Sequence, residues 1–254
     1  MKPSPIVRPD ARNAINRQLG EELATCLAEL RGDAALRAVI ITGAGGAFSA
    51  GVDLKDPLFA DAEVMTREWM QGPSNYLWQM QQFQVPLIAA VNGPCVTGAM
   101  EIALQCDLIV ASTKAMFRDT HSTYGIPPAG GMSQILQRMV GVQRARYMSL
   151  TGAKVDGATA YEWGLACAVV EPQELMPKVV AMAASIVAKE RSTIAVFRSL
   201  INEGQGKSMQ AALDYEIDTV LQKYAEMGAG GTDTQTRLSG AFAKQQQART
   251  KSKL

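Results

Sequence analysis

A glycine-rich turn and three ionisable side chains are the residues whose types and spacing could support chemistry. The turn, TGAGGAFSAG (residues 42–51), follows the apolar run AVIIT. Downstream of it are Glu101, inside the apolar stretch AMEIAL, and the pair Asp119 and His121. A turn of this kind after a strand can cradle a dinucleotide phosphate, present Ser49 as a hydrolase nucleophile, or direct backbone N–H groups at a developing negative charge.

Motif details argue against the first two of these chemistries. A dinucleotide fingerprint requires G-x-G-x-x-G, and its third glycine position is occupied by Phe48. No G-x-x-x-x-G-K-[ST] sequence occurs either. The nucleophile motif G-x-S-x-G is one glycine short, because Ala47 stands two residues before Ser49. Backbone donors are therefore the favoured interpretation of the turn.

Glu101 and His121 are the candidate acid–base residues. A carboxylate within an apolar run lies either on a solvated helix face or in a buried place that raises its pKa into a range useful for proton transfer. A neutral imidazole both donates and accepts hydrogen bonds, so His121 can orient water or relay a proton; the alternative is a structural histidine bonded to backbone. If the segment is extended, Asp119 lies on the same face as His121 and can tune it.

Composition excludes several classes of protein. The 254 residues include 47% hydrophobic residues, which is ample for a buried core, and the formal charge of +1 creates no global attraction for nucleic acid or anionic membrane. No apolar run approaches the ~20 residues that span a bilayer. Four cysteines without CxxC spacing and a single histidine argue against disulfides and a metal site. We therefore expect a cytoplasmic protein with no metal; in a eukaryote, the C-terminal Ser252-Lys253-Leu254 would be a peroxisomal address.

Strand and helix signals alternate along most of the chain, which predicts an α/β fold. The first helix is predicted to have Asn13 as its N-cap and Gly32 as its stop. An α/β core is predicted for residues 1–190 and a helical region, part of the same domain unit, for 191–254, with two long amphipathic helices after residue 173. The predicted strands cover residues 38–42, 86–93 and 107–112. The other predicted helical stretches cover 61–84, with a break at Gly72-Pro73, 96–106 and 127–141.

Six sequence blocks, in order, resemble the enoyl-CoA hydratase/isomerase (crotonase) superfamily. The resemblance implies a crotonase-like spiral of ββα repeats with a helical C-terminal trimerisation region, assembled as a homotrimer or a dimer of trimers. It implies an acyl-CoA substrate, with coenzyme A as part of the substrate and no separate cofactor. The blocks are RPDARNAIN, VIITGAGGAFSAGVDL, PLIAAVNGPCVTGAMEIALQCDLIVAS, GIPPAGG, MSLTG and EWGLACAVV.

The resemblance also implies where the substrate binds. The two oxyanion-hole donors of the family are backbone N–H groups, and the matching positions are Val52 and Gly98. Ala50 and Asp53, beside Val52, are expected to contribute to substrate binding. Apolar residues between positions 56 and 84 are expected to line the acyl pocket or a subunit contact, namely Leu58, Phe59, Met65, Trp69, Met70, Tyr76 and Trp78.

The resemblance assigns catalysis to Glu101, which matches one of the two glutamates that hydratases use. His121 stands at the position of the second glutamate, and this departure leaves Asp119 and His121 as the candidates for its role. Hydration of an enoyl-CoA is the leading expectation. Double-bond isomerisation, thioester hydrolysis, C–C cleavage and a catalytically silent acyl-CoA-binding protein are the alternatives.

Overall fold

Parallel strands dominate the part of the chain that the computed structural model describes, residues 4–56 and 66–228. The strands are β1 Ser4–Ile6, β2 Val39–Gly43, β3 Leu87–Val91, β4 Pro94–Val96, β5 Leu108–Ser112, β6 Met116–Arg118, β7 Lys154–Asp156 and β8 Ala168–Val170. The helices are α1 Arg17–Gly32, α2 Arg67–Met70, α3 Tyr76–Gln81, α4 Gly98–Leu104, α5 His121–Tyr124, α6 Met132–Val140, α7 Val142–Thr151, α8 Gly157–Glu162, α9 Pro172–Val187, α10 Arg191–Gly204 and α11 Met209–Gly228.

The strands form two sheets. The larger sheet has the order β1-β2-β3-β5-β8 and all its neighbours are parallel. The smaller sheet has the order β4-β6-β7, with β4 parallel to β6 and β7 antiparallel to it. Parallel neighbours require crossover connections, and here these connections carry the helices and the loops of the candidate site.

Helices cover both faces of the large sheet, which explains why its central strands are mostly apolar and why β3 is apolar at every position. On one face, Ile41 and Ala89 belong to a core cluster that includes residues of α1 and α4. On the other face, Ile40 and Ile88 pack in a second cluster with Val179 of α9 and its neighbours. The predicted α/β pattern is thus observed, with β2, β3 and β5 at the predicted strands.

The N-terminal boundary of α1 corrects one sequence prediction. The N-cap is Asn16, whose side chain accepts a hydrogen bond from the N–H of Leu19, and not Asn13. Asn13 is fully buried in a left-handed conformation, with φ of 58°, and its amide donates to the carbonyls of Ala44 and Ala47. Its polar side chain therefore serves the glycine-rich turn, because that turn leaves inward-facing carbonyls that need a donor.

The small sheet brings two separate chain segments to the same edge. β4 and β6 pair in register from Pro94↔Met116 to Val96↔Arg118. The chain leaves β4 directly into α4, and it leaves β6 directly into the segment that holds Asp119 and His121. Because the two strands are parallel, their carboxyl ends lie side by side, and residues that are distant in sequence become neighbours.

The C-terminal third is helical, as predicted, but it contains three described helices and not two. The unpredicted one is α10, which begins only a few residues after α9 ends. The chain divides into two compact units, one up to Ala195 and the other from Val196 onward. Within the second unit, the hydroxyls of Ser199 and Tyr215 share a 2.8 Å hydrogen bond that joins α10 to α11. None of the described helices has the length and apolar character needed to cross a membrane.

Candidate active site

The glycine-rich turn leads into Val52, whose N–H is directed away from Ile15, its partner in an isolated β-bridge. Ile15 donates to the carbonyl of Gly51 and accepts from the N–H of Asp53, in a parallel bridge centred on Val52. In such a bridge, the N–H of the central residue points to the opposite side. This path requires glycine at position 51, because the φ there is +87° and a Cβ would lie 2.4 Å from the carbonyl oxygen of Val96.

The backbone of Gly98, the first residue of α4, lies beside Val52. A Cβ built on Gly98 would be 3.1 Å from Val52 Cγ2 and 3.6 Å from the Val52 nitrogen. No hydrogen bond among residues 4–56 and 66–228 uses the N–H of Val52 or that of Gly98. The two predicted oxyanion-hole donors are therefore brought together by the fold, as neighbouring backbone groups without a protein acceptor in the described chain.

Glu101 lies one helical turn after Gly98 and is buried, with 6% of its surface exposed. Its Oε1 accepts hydrogen bonds from the N–H of Gly130 at 2.7 Å and from that of Met132 at 3.3 Å. A Cβ on Gly130 would lie only 2.6 Å from the Cδ and the Oε2 of Glu101, so this close approach requires glycine. Oε2 takes part in no hydrogen bond that the described residues show, and it is the oxygen available for chemistry.

His121 and Asp119 form a hydrogen-bonded dyad. The His121 Nδ1 and the Asp119 Oδ1 are 2.7 Å apart, and the same oxygen accepts the backbone N–H of His121 at 3.0 Å. The predicted contact is thus present, but not through an extended segment. β6 ends at Arg118, and Asp119 turns back onto the first residue of α5. Nε2 of His121 has no hydrogen-bond partner within the described chain, so the dyad leaves that nitrogen available for a second contact.

The charges of Glu101, His121 and Asp119 influence one another. Burial raises the pKa of Glu101 above its ordinary value, although His121 and the two backbone N–H donors act in the opposite direction. Burial alone would lower the pKa of His121, but Asp119 and Glu101 outweigh it and raise that pKa. Burial also acts to raise the pKa of Asp119, but hydrogen bonds from His121 and Ser149 outweigh it and lower that pKa. Compared with the free side chains, Glu101 therefore binds its proton more tightly, and His121 keeps its proton to higher pH.

Ala50 and Asp53, the other two residues of the predicted substrate site, have protein partners. The N–H of Ala50 donates to the carbonyl of Arg12. One carboxylate oxygen of Asp53 lies 3.1 Å from the Arg8 guanidinium, and the other accepts the N–H of Lys55. The predicted contribution of Ala50 and Asp53 to substrate binding stays a prediction.

Ser49 has the contacts of a structural residue. It is fully buried, its Oγ donates to the carbonyl of Asn13 at 2.7 Å, and the N–H of Gly51 donates to that Oγ at 3.1 Å. Its backbone pairs with β4 through a bridge to Cys95. A hydroxyl occupied in this way fixes the turn and is not placed as a nucleophile.

Part of the predicted acyl-pocket segment can be located. Leu58, Phe59 and Met65 lie outside the described residues. Trp69 and Tyr76, together with one face of α1, line a groove of about 570 Å³. Burial and the nearby charge of Glu101 raise the pKa of Tyr76, so the inner part of α3 lies within electrostatic range of the candidate acid. In residues 4–56 and 66–228, no cluster of three or more His, Cys, Asp or Glu side chains could hold a metal ion.

Comparison with known proteins decides which family this geometry belongs to. A family model described as enoyl-CoA hydratase/isomerase matches residues 5–236. The chain belongs to the enoyl-CoA hydratase/isomerase family. It is 33% identical over 87% of its length to a probable peroxisomal enoyl-CoA hydratase 1 of Arabidopsis thaliana, of which the match covers 82%. It is 29% identical over 85% of its length to 4-chlorobenzoyl coenzyme A dehalogenase-2 of an Arthrobacter species, of which 79% is covered.

Solved structures of the family share the fold. The crystal structure of enoyl-CoA hydratase subunit I from Geobacillus kaustophilus superposes with a TM-score of 0.83 and 26% identity, covering 94% of this chain and 90% of the other. The crotonase fold predicted from the six sequence blocks is therefore confirmed. Relatives that carry both hydratase and dehalogenase names show that family membership leaves the reaction to be argued from the site.

Proposed function

We propose that this member of the enoyl-CoA hydratase/isomerase family adds water across the 2,3 double bond of an acyl-CoA thioester. The observation that carries the proposal is a group of three features. The backbone N–H groups of Val52 and Gly98 have no acceptor among the described residues, and a buried carboxylate lies one helical turn further along α4. Relatives named as an enoyl-CoA hydratase and as a crotonyl-CoA hydratase support the same reaction.

The thioester oxygen is proposed to lie between the N–H groups of Val52 and Gly98. Addition of water to the β-carbon places negative charge on this oxygen, because the α-carbon is conjugated with the carbonyl. Donors already aimed at that position stabilise the enolate without reorganising during the reaction. Both donors are main-chain groups, so a valine at position 52 is as suitable as any other non-proline residue.

Glu101 is proposed as the general base and His121 as the partner that manages the proton of the α-carbon. The Glu101 carboxylate takes a proton from water as the water oxygen bonds to the β-carbon. The imidazolium of His121 then supplies a proton to the α-carbon of the enolate through Nε2, and Asp119 holds the ring through Nδ1. Water thus contributes its oxygen and one proton to the product, and a proton passes from Glu101 to His121 through solvent to restore the starting state. The reaction requires no cofactor beyond the coenzyme A of the substrate.

The test of this proposal is the loss of enoyl-thioester absorbance when the purified protein is mixed with crotonyl-CoA. Formation of 3-hydroxyacyl-CoA supports hydration. Binding of crotonyl-CoA with no turnover of any enoyl-CoA would favour the acyl-CoA-binding alternative.

Replacing Asp119 by Asn is expected to move the basic limb of the pH–rate profile to lower pH. The active form needs deprotonated Glu101 and protonated His121, so turnover rises as Glu101 loses its proton and falls as His121 loses its own. A negative neighbour stabilises imidazolium, and the Asn variant therefore lowers the pKa of His121. The measurement is the pH dependence of kcat together with an NMR titration of the imidazole.

His121 is the only histidine in the sequence, so this titration needs no assignment. The matched control is Asp214→Asn on α11, which removes an exposed carboxylate. An unchanged His121 titration in Asp119→Asn would contradict the role given to the dyad.

We also propose that the protein assembles as a homotrimer or as a dimer of trimers. Its second unit exposes large apolar side chains that a monomer would leave in water. They are Phe197, Ile201, Met209, Leu213, Ile217, Leu221 and Tyr224.

Sedimentation at micromolar concentration is expected to give a trimer or hexamer, and Ile217→Asp is expected to give smaller species. A buried aspartate without a partner is costly, so it should weaken any contact that covers Ile217. Glu216→Gln, on a neighbouring exposed position, should sediment like the parent. A monomeric parent protein would contradict the proposed assembly.

A cytoplasmic location completes the proposal. It is supported by the cysteines of the described chain, which form no disulfide, namely Cys26, Cys95, Cys106 and Cys167. The C-terminal tripeptide that would direct a eukaryotic protein to peroxisomes lies outside the described residues. Fluorescent tagging at the N-terminus in the native host would distinguish the two compartments.

A further inference from the structure

Thr97, between β4 and α4, has a backbone conformation that its residue type disfavours. Its φ is 50° and its ψ is −109°. Positive φ is rare for any residue other than glycine and is an outlier for a β-branched one, because the side chain crowds the backbone. Such a conformation persists only where the surroundings hold it, and it is found most often at functional sites.

The surroundings that hold Thr97 are contributed by the last residue of β6 and the segment that follows it. The N–H of Thr97 donates to the carbonyl of Arg118 at 2.8 Å. Its Oγ1 accepts the N–H of Thr120 at 3.0 Å and lies 2.5 Å from the Oγ1 of Thr120. Thr97 is thus tied to the other segment by three hydrogen bonds, two of which use its hydroxyl.

A role in helix capping does not account for this hydroxyl. Thr97 occupies the N-cap position of α4, where a threonine side chain usually accepts an N–H of the first helical turn. Here its side chain makes no capping hydrogen bond. The hydroxyl is directed across to Thr120 instead, and the first N–H groups of α4 are left without it.

The contact joins the two halves of the candidate site. Thr97 immediately precedes Gly98, which supplies an oxyanion-hole N–H, and Thr120 stands between Asp119 and His121. The last paired residues of β4 and β6 are Val96 and Arg118. The two threonines therefore continue the connection between the strands just beyond the end of the backbone ladder.

We infer that Thr97 and Thr120 are positioning residues, a hydroxyl pair that fixes the oxyanion-hole N–H of Gly98 relative to the imidazole of His121. The inference rests on the proposed function, in which the charge on the thioester oxygen and the proton for the α-carbon are managed from these two segments. In an acyl-CoA the thioester oxygen and the α-carbon are separated only by the carbonyl carbon. A small displacement of one segment against the other therefore misaligns proton transfer. Misplacements of about 1 Å can cost about a hundredfold in rate.

The test replaces each hydroxyl by a methyl group of the same shape. Thr97→Val and Thr120→Val are each expected to lower kcat for crotonyl-CoA by about tenfold to a hundredfold with KM changed by less than about twofold. Because Thr97→Val already removes both hydrogen bonds of the pair, the double variant should lose no more than Thr97→Val alone. Thr97→Ser retains the hydroxyl and should recover most of the turnover. Thr193→Val, an exposed change on α10, is the matched control and should behave like the parent.

A second measurement tests the role of the Thr97–Thr120 pair independently of the hydration reaction. Acetoacetyl-CoA binds as an enolate where donors stabilise its oxygen, and the enolate is seen by its ultraviolet absorbance. The parent should shift bound acetoacetyl-CoA toward the enolate, and the two valine variants should do so less at saturating ligand.

One outcome is that the parent hydrates no enoyl-CoA while the enolate absorbance of bound acetoacetyl-CoA still differs between the parent and the valine variants. That result would contradict the proposed reaction but support the role of the positioning pair. Two results would overturn the pair. One is parent-like turnover and enolate formation in both valine variants. The other is losses that multiply in the double variant, which would mean that the two hydroxyls act independently.

Discussion

Glu101→Gln is expected to lower the turnover of crotonyl-CoA by about 10²–10⁴-fold, the range typical of losing a general base. Glutamine keeps the shape of the side chain, and its carbonyl oxygen can still accept the N–H groups of Gly130 and Met132. What it cannot do is take a proton from water. KM should change little, because the proposed thioester donors are main-chain groups at Val52 and Gly98.

The control for Glu101→Gln is the same change at Glu162, an exposed residue at the end of α8. It should leave kcat and KM unchanged. Steady-state kinetics over a range of pH compare the three proteins, with thermal unfolding to establish that each is folded. A Glu101→Gln protein as active as the parent on every enoyl-CoA tested would remove Glu101 from the mechanism and would favour another reaction of the family.

Gly98→Pro is expected to abolish measurable turnover, since it removes one of the two donors that stabilise the enolate. Loss of a single oxyanion-hole donor costs about 10²–10³-fold in related chemistry. Proline is tolerated at the first position of a helix, so α4 can still begin at residue 98. Here the lost N–H makes no hydrogen bond within the described protein, and its removal should affect the reaction more than the fold.

A second variant keeps this prediction testable if the proline protein is unstable. Gly98→Ala retains the N–H but places a methyl group 3.1 Å from Val52 Cγ2, and turnover should fall at least about tenfold from the displaced donors. Gly46→Ala is the matched control, because a Cβ at that position meets nothing within 4 Å. Ser49→Ala should destabilise the protein by about 1–3 kcal/mol through its lost hydrogen bonds but retain turnover. Activity lost in Ser49→Ala and kept in both Gly98 variants would reverse the interpretation of the turn.

The central strands could be predicted from the sequence because burial on both faces makes them continuous apolar runs. β2, β3 and β5 lie where such runs predicted them. β1, β4, β6, β7 and β8 were not predicted. Each has only three residues, and runs that short carry no periodicity to distinguish a strand from a turn.

The candidate site could be predicted only where its residues stand in a motif. The positions of Val52, Gly98 and Glu101 were inferred from local blocks. Nothing local indicated that Gly130 and Met132 donate to Glu101, because that contact depends on how the loop before α6 returns to α4. The Asp119–His121 contact was predicted for the wrong reason, since it arises from a turn and not from an extended segment.

The error at Asn13 has a similar origin. Sequence spacing made it a plausible helix cap, but the fold offers it a stronger use. Its amide donates to carbonyls of the turn more than thirty residues away. Local propensity cannot foresee a partner that tertiary structure brings close.

Every residue of α4 is buried, from Gly98 to Leu104, and Glu101 is anchored on that helix. A side chain held in this way has already lost its rotamer freedom before any substrate arrives. Thioester binding therefore loses no free energy in ordering the carboxylate, because the conformational entropy of this side chain is already lost when the chain folds. In hydrogen–deuterium exchange, the hydrogen-bonded amides of α4, from Glu101 onward, should exchange only when the whole α/β core unfolds. The chemistry of Glu101 and the global stability of the core therefore belong to one cooperative unit.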